Sequence, residues 1–236
     1  MNRTHIPDWV KERVIERRGQ RHVYADMVPE RTALLVVDLQ NGFMMEGVAH
    51  SLVKEAHDIV PNVNRLAAAL RAAGGVVVWI RNTASEDSFK SWSIAYEKLA
   101  MPQRARKRAE ALKPGSLGQQ IWKGMDVQPG DLTVDKARFS AFIQGSSNIE
   151  AILRARGIDT VLVTGTATNV CCESTARDAV MRNFQTVMVS DGLATRTDEE
   201  HNATLMNFYL IFGDVMTTDE VIGYLRANAS AQAAPA

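Results

Sequence analysis

Apolar residues along the chain occur in two alternating kinds of segment: short unbroken runs rich in β-branched residues, and longer stretches where they recur every three or four positions. The runs at 33–37, 76–80, 132–134, 161–163 and 186–189 have the length and composition of strands buried on both faces. Between them, 59–73, 148–156, 173–183 and 199–212 follow helical spacing, and Gly74-Gly75 stops the first. At the N-terminus, 7–18 predicts one more helix, with Pro7 at its first turn, Gly19 just past its end and Trp9, Val10, Val14 and Ile15 as its apolar residues. It reads as a docking arm. The repeated βαβα order predicts an α/β domain, a parallel sheet with helices on both faces. In such a sheet the C-terminal strand ends share one edge, and ligands bind there.

Residues 82–130 break the alternation. They hold Trp92 and Tyr96 at i, i+4 spacing, which fits a core contact and a pocket wall equally, the turn residues Pro114-Gly115, and the run Arg104-Ala105-Arg106-Lys107-Arg108. Such a run reads as the solvated face of an exposed charged helix. The Ala-rich end, 226–236, reads as a flexible tail, which divides the chain into an arm at 1–30, a domain at 31–225 and that tail. With 236 residues and 46% hydrophobic content, one core can form and nothing forces a second domain.

Lys plus Arg and Asp plus Glu balance at 27 each, so no global field favours nucleic acid or an acidic membrane. A small-molecule ligand or a protein partner is the expectation. No apolar run approaches a membrane span, the N-terminus lacks the apolar core of a signal peptide, and two cysteines suit a reducing cytoplasm.

Both cysteines fall where the strand at 161–163 passes through Gly165 into a helix start. A thiol there feels the positive end of the helix dipole, which favours thiolate, and N–H groups that can hold an oxyanion. Thr168 or Asn169 can cap that helix. Buried cysteine is also often inert packing. Adjacent residues cannot point the same way from a helix, so one of Cys171 and Cys172 faces a cleft and the other packs. Two further polar residues close strands, Asp38 after 34–37 and Lys136 after 132–135. If the strand ends converge, Asp38 can take the Cys171 proton and return it to a leaving nitrogen, while Lys136 holds the carboxylate and favours the thiolate.

Three segments carry a resemblance. Leu35-Val36-Val37-Asp38-Leu39-Gln40-Asn41-Gly42-Phe43, Lys136-Ala137-Arg138-Phe139-Ser140-Ala141-Phe142 and Thr164-Gly165-Thr166-Ala167-Thr168-Asn169-Val170-Cys171 resemble the signature segments of the isochorismatase-like cysteine hydrolases, a similarity spanning roughly residues 31 to 225. It implies a three-layer Rossmann-like fold, an Asp38–Lys136–Cys171 triad with Cys172 as bystander, no cofactor, and homo-oligomers such as dimers or tetramers. It also implies a cis peptide at Ala167-Thr168 and an oxyanion hole from the backbone of Thr168 and Cys171. Gln40, Phe43, Phe139, Asn82 and Arg196 are the substrate-binding positions it marks.

Within the family, the absence of an Asp-x-His motif after the second strand, where this chain reads Arg81-Asn82-Thr83-Ala84, separates it from metal-dependent nicotinamidases. The five histidines, His5, His22, His50, His57 and His201, lack ligand spacing and read as single surface residues, so no metal is expected. Asn82 matches the ureidoacrylate amidohydrolase branch, although Ala84 stands where that branch has tryptophan. Arg196 resembles the arginine that binds substrate carboxylate in N-carbamoylsarcosine amidohydrolase; pairing with Asp198 or Glu199 is its other reading. The expected activity is cleavage of a C–N bond in a small carbamoyl or ureido compound through a cysteine thioester, releasing ammonia or carbamate. A biuret-type ureide is the alternative substrate. A redox or scaffold protein using the vicinal thiols is the non-enzymatic alternative, and a regulatory dimer with a vestigial pocket is weakened by the intact triad.

Overall fold

The computed structural model describes residues 1–233. Six strands form one wholly parallel sheet: β1 (Thr32–Val37), β2 (Val76–Asn82), β3 (Leu132–Lys136), β4 (Thr160–Thr166), β5 (Gln185–Ala194) and β6 (Asp214–Met216). The order is β3-β2-β1-β4-β5-β6. The order in which strands are added therefore reverses between β1 and β4, the point where doubly wound folds open a crevice.

In chain order the helices are α1 (Asp8–Arg18), α2 (Asn41–Met44), α3 (Val60–Ala72), α4 (Glu86–Ser91), α5 (Ser93–Glu97), α6 (Pro102–Ala111), α7 (Ile149–Arg154), α8 (Glu173–Met181), α9 (Asp198–Ile211) and α10 (Thr218–Ala233). Strand alternation produces two cores, one on each face. Leu35, Val37, Val78, Ile80, Val161 and Val163 pack with residues of α1, α7, α8 and α9. On the other face Leu34, Val36, Val77, Trp79, Leu162 and Val187 pack with α3 and α10. This is the expected three-layer α/β architecture.

Four strands outrun their apolar signal. β2, β3, β4 and β5 continue to Asn82, Lys136, Thr166 and Ala194, because a ladder needs only backbone N–H and C=O groups; Asn82 and Lys136 are themselves register partners. β6 and α10 are elements the periodicity did not mark. β6 is three residues long and opens on Asp214, and α10 shows its apolar side only through Val221, Ile222 and Leu225 against the second core. α10 also runs to Ala233, so 227–233 of the expected tail are helical; residues 234–236 lie outside the described residues. Among the described residues no helix is long and apolar enough to cross a membrane.

The segment between β2 and β3 holds α4, α5 and α6 and is stitched to the end of β1. Asn41 N–H donates to Gln120 O at 2.9 Å, Gly42 N–H to Gly118 O at 2.7 Å and Trp122 N–H to Leu39 O at 2.8 Å. A Cβ on Gly42 would stand 2.9 Å from Gly118 O, so only glycine permits this approach.

Candidate active site

The three polar residues at strand ends meet. Asp38 follows β1 with φ +55°, a left-handed conformation that Asp tolerates better than most residues, and its N–H donates to Ile80 O at 2.9 Å. Lys136 ends β3, two strands away. At about 4.8 Å per strand its side chain must cross the end of β2 to arrive, and it does: Nζ lies 2.9 Å from Asp38 Oδ2, with both side chains wholly buried. Lys136 Nζ also donates to Arg138 O at 3.0 Å. Apart from the ion pair, neither Asp38 oxygen has a hydrogen-bond partner in the protein. Burial works against the Lys136 charge, but Asp38 and then Cys171 outweigh it and hold the ammonium above the usual lysine range.

Cys171 sits beside this pair in a π-helical turn, Thr168–Cys172, that precedes α8. The thiolate expected from a helix dipole is not the resting form. Burial, then the Asp38 charge, pushes the thiol up to about 12, against the opposing pull of Lys136 and Arg108. The expectation fails because the dipole acts weakly beside a desolvated carboxylate. Cys172 points into the core, wholly buried, with Sγ 3.8 Å from Thr164 O.

The turn differs from expectation in two further ways. Its cis peptide is Thr166-Ala167 rather than Ala167-Thr168. Thr166 is still paired with Ala194 as the last residue of β4, whereas Thr168 already begins the helical turn, so the chain reverses before Ala167. Neither Thr168 nor Asn169 caps the helix. Thr168 Oγ1 lies 3.0 Å from His201 Nδ1, and Asn169 Oδ1 accepts from Thr195 Oγ1 at 2.7 Å. The N-terminal arm reaches the same groups, Thr4 Oγ1 lying 3.2 Å from His201 Nε2 and Asn2 Oδ1 accepting from Thr195 N–H at 2.9 Å. The turn is thus buttressed from beneath by residues nearly the whole chain away. Val170 and Cys172 N–H both close on Ala167 O, at 3.1 and 3.2 Å.

A cavity of about 250 Å³ opens at these strand ends, and Cys171 is on its wall with Phe43, Asn82, Phe139 and Arg196. Gln40 is not. Fully buried, it receives Asn82 N–H on Oε1 at 2.7 Å and donates Nε2 to Asn82 O and Gln119 O, at 3.1 and 2.8 Å, so it holds the Asn82 backbone in place. Arg196 pairs with neither Asp198 nor Glu199 but donates to Ser51 Oγ.

Three ionisable cavity residues were not read as site residues in the sequence: His50, Arg104 and Arg108. The run taken for a solvated face sends Arg104 and Arg108 to the cavity; their i, i+4 spacing, which places both on one side of α6, was the available signal. Arg108 stacks over Trp92 and Tyr96 at 5.0 Å each and over Phe139 at 5.5 Å. Trp92 and Tyr96 are therefore the seat of an arginine rather than the cavity wall. His50 is a neutral ring whose Nδ1–H donates to Gly42 O at 2.9 Å, its pKa lowered to about 4 by burial and then by Arg108. Two histidines expected at the surface are buried, His201 in the buttress and His22 beside Asp214, because each found partners in distant elements. Among the described residues, no group of three or more His, Cys, Asp or Glu side chains could hold a metal ion.

Comparison with known proteins places the fold in a family. Residues 32–220 match the isochorismatase domain. The chain is 31% identical over 227 residues to the ureidoacrylate amidohydrolase RutB of Pseudomonas savastanoi pv. phaseolicola, covering 91% of each chain. To its counterpart from Agrobacterium fabrum it is 33% identical over 221 residues, 88% of this chain and 93% of that one. Among solved structures, a cysteine hydrolase from Pseudomonas syringae pv. phaseolicola superposes with a TM-score of 0.74 at 28% identity, covering 86% of this chain and 96% of the other. N-carbamoylsarcosine amidase from Thermoplasma acidophilum gives 0.63 at 26% identity, over 80% and 97%. With this fold, these strand-end residues and a match over most of its length, the chain belongs to the isochorismatase family of hydrolases.

Proposed function

We propose that the protein is a cysteine amidohydrolase that cleaves a C–N bond of a small carbamoyl or ureido compound through a thioester on Cys171. The observation that carries this reading is that Cys171 reaches the cavity wall while the Lys136–Asp38 pair stands buried behind it. Relatives named for ureidoacrylate and N-carbamoylsarcosine supply the substrate class.

Because the resting thiol is protonated, attack and proton transfer are coupled. As the Cys171 sulfur bonds to the carbonyl carbon, its proton passes to Asp38, and Lys136 balances the carboxylate throughout. Asp38 then protonates the departing nitrogen as the C–N bond breaks, leaving a thioester. Water attacks that carbon, Asp38 takes a proton from it, and the sulfur leaves and regains its proton. The first turn of a helix carries N–H groups without intrahelical partners, and we assign the Thr168 and Cys171 N–H groups to the oxyanion. One such donor is worth about 3–4 kcal/mol of transition-state stabilisation. Asn82, held by Gln40, orients the ureido group between Phe43 and Phe139.

A redox role for the vicinal thiols is a poorer fit, since Cys172 is sealed in the core. The exposed Ile94, Leu99 and Met101 of the β2–β3 segment, each more than 60% accessible, favour a homo-oligomer, and two free thiols favour the cytoplasm. The deciding experiment is an ammonia-release screen over ureido acids, biuret-type ureides and simple amides. Cys171→Ser is expected to lower turnover at least ~1,000-fold, the scale of losing a catalytic nucleophile. Undiminished release by that variant would sink the assignment.

A further inference from the structure

The cavity carries positive charge that its own walls do not answer. Arg104, Arg108 and Arg196 line it, and no Asp or Glu does. None of the three belongs to an ion pair among the described residues. The nearby carboxylate, Asp38, is already neutralised by Lys136. His50, on the same wall, is held neutral by burial and by Arg108, Lys107 and Arg196. Arg108 is half-buried while Arg104 and Arg196 are exposed; like charges gathered without counterions repel, and most so at Arg108, where water is partly excluded.

The guanidiniums come from two separate parts of the fold. Arg196 follows β5, and its donation to Ser51 Oγ fixes one end of its fork. Arg104 and Arg108 lie one helical turn apart on α6. Arg108 is held by cation–π attraction among three rings, its Cζ 5.0–5.5 Å from their centroids, and such contacts leave guanidinium N–H groups able to meet a carboxylate. A single ligand carboxylate brings one negative charge to a wall with three guanidiniums, so a monoanion leaves two positive charges unanswered.

We propose that Arg104 and Arg108 form a second anion subsite, distinct from Arg196, and that the substrate is a ureido or carbamoyl dicarboxylate. One carboxylate meets Arg196, the other meets the α6 pair, and the ureido carbonyl lies over Cys171. The volume suits this. A cavity of about 250 Å³ lies just below the range of about 300–1,000 Å³ that holds drug-sized ligands, which fits a small dianion. The inference rests on the amidohydrolase reading for its chemistry but not for its charge.

The test separates the two. Ammonia release is measured with N-carbamoylaspartate, N-carbamoylglycine and biuret, and binding of succinate and propionate is measured by calorimetry on Cys171→Ser. The dicarboxylate is expected to exceed the monocarboxylate in kcat/KM, and succinate to exceed propionate in affinity, by at least about tenfold, the scale of one charge-assisted hydrogen bond. Arg108→Met, which keeps an apolar stem against the rings, should collapse that ratio. A purely structural arginine would lower both substrates alike and leave the ratio intact. Arg104→Met, at an exposed side chain without ring contacts, gives the same readout should the Arg108 variant fail to fold. Biuret or N-carbamoylglycine turned over as fast as N-carbamoylaspartate overturns the dianion subsite and leaves the amidohydrolase standing. Tight, Arg108-dependent succinate binding without hydrolysis of any substrate does the reverse.

Discussion

A lysine ammonium and an aspartate, both wholly buried and 2.9 Å apart, are tolerable only together. Removing one partner strands the other's charge in a desolvated site, so Lys136→Met is expected to lose about 3–5 kcal/mol of stability in urea unfolding, and adding Asp38→Asn to recover much of it. An unaltered unfolding midpoint in the single variant would refute the burial argument. The neighbouring thiol offers a second check. With Cys171 pushed up to about 12, iodoacetamide labelling of this residue is expected to keep accelerating with pH beyond about 10, where an ordinary cysteine with a pKa near 8.5 has levelled off. A plateau below pH 8 would show a thiolate at rest and restore the helix-dipole expectation. Asp38, Lys136 and Cys171 were readable as chemistry because their residue types are unusual at the ends of apolar strands. Arg104 and Arg108 were not, since a basic helix in sequence looks the same whether water or a cavity lies beside it.

At the scale of elements, the turn after β4 depends on Gly165. Its φ is +114°, and a Cβ there would lie 2.0 Å from Val37 O and 2.7 Å from Val37 N, so the strands bearing Asp38 and Cys171 could not stay paired. Gly165→Ala is expected to cost more than about 3 kcal/mol or to prevent soluble expression, measured by thermal unfolding. A variant of wild-type stability would contradict the close approach. The β-branched runs located five of the six strands, since a strand buried on both faces must be apolar throughout its middle. Their C-terminal ends were hidden because they lie in the ladder yet carry Asn82, Lys136 and Thr166. The arm was legible as a docking helix, whereas the reach of Asn2 and Thr4 to Thr195 and His201, which hold the turn bearing Cys171, was not, because hydrogen bonds spanning almost two hundred residues leave no local pattern.

Across the whole molecule, the chain's two ends are joined by a buried titratable cluster. His22 Nδ1 lies 2.9 Å from Asp214 Oδ1 at the start of β6, and Nε2 lies 3.6 Å from Glu220 Oε1 on α10. Burial disfavours the imidazolium, but hydrogen bonds to Asp214 and Glu220 outweigh it and raise the pKa to about 9. The folded value lies above the unfolded value near 6.5, so this contribution to stability is full below pH 6.5 and is lost as pH rises through about 9. The melting temperature of the wild type is therefore expected to fall between pH 6.5 and 9 more steeply than that of His22→Gln; parallel profiles would refute the coupling. Periodicity and residue type sufficed for a parallel α/β sheet and for picking out Asp38, Lys136 and Cys171, because burial on both faces and polar residues at strand ends are written into contiguous residues. Strand order, the protonated state of Cys171, the position of the cis bond and the unanswered arginines depended on packing. Each arises from groups far apart along the chain, and which of them become neighbours in a desolvated site is set by the folded arrangement as a whole.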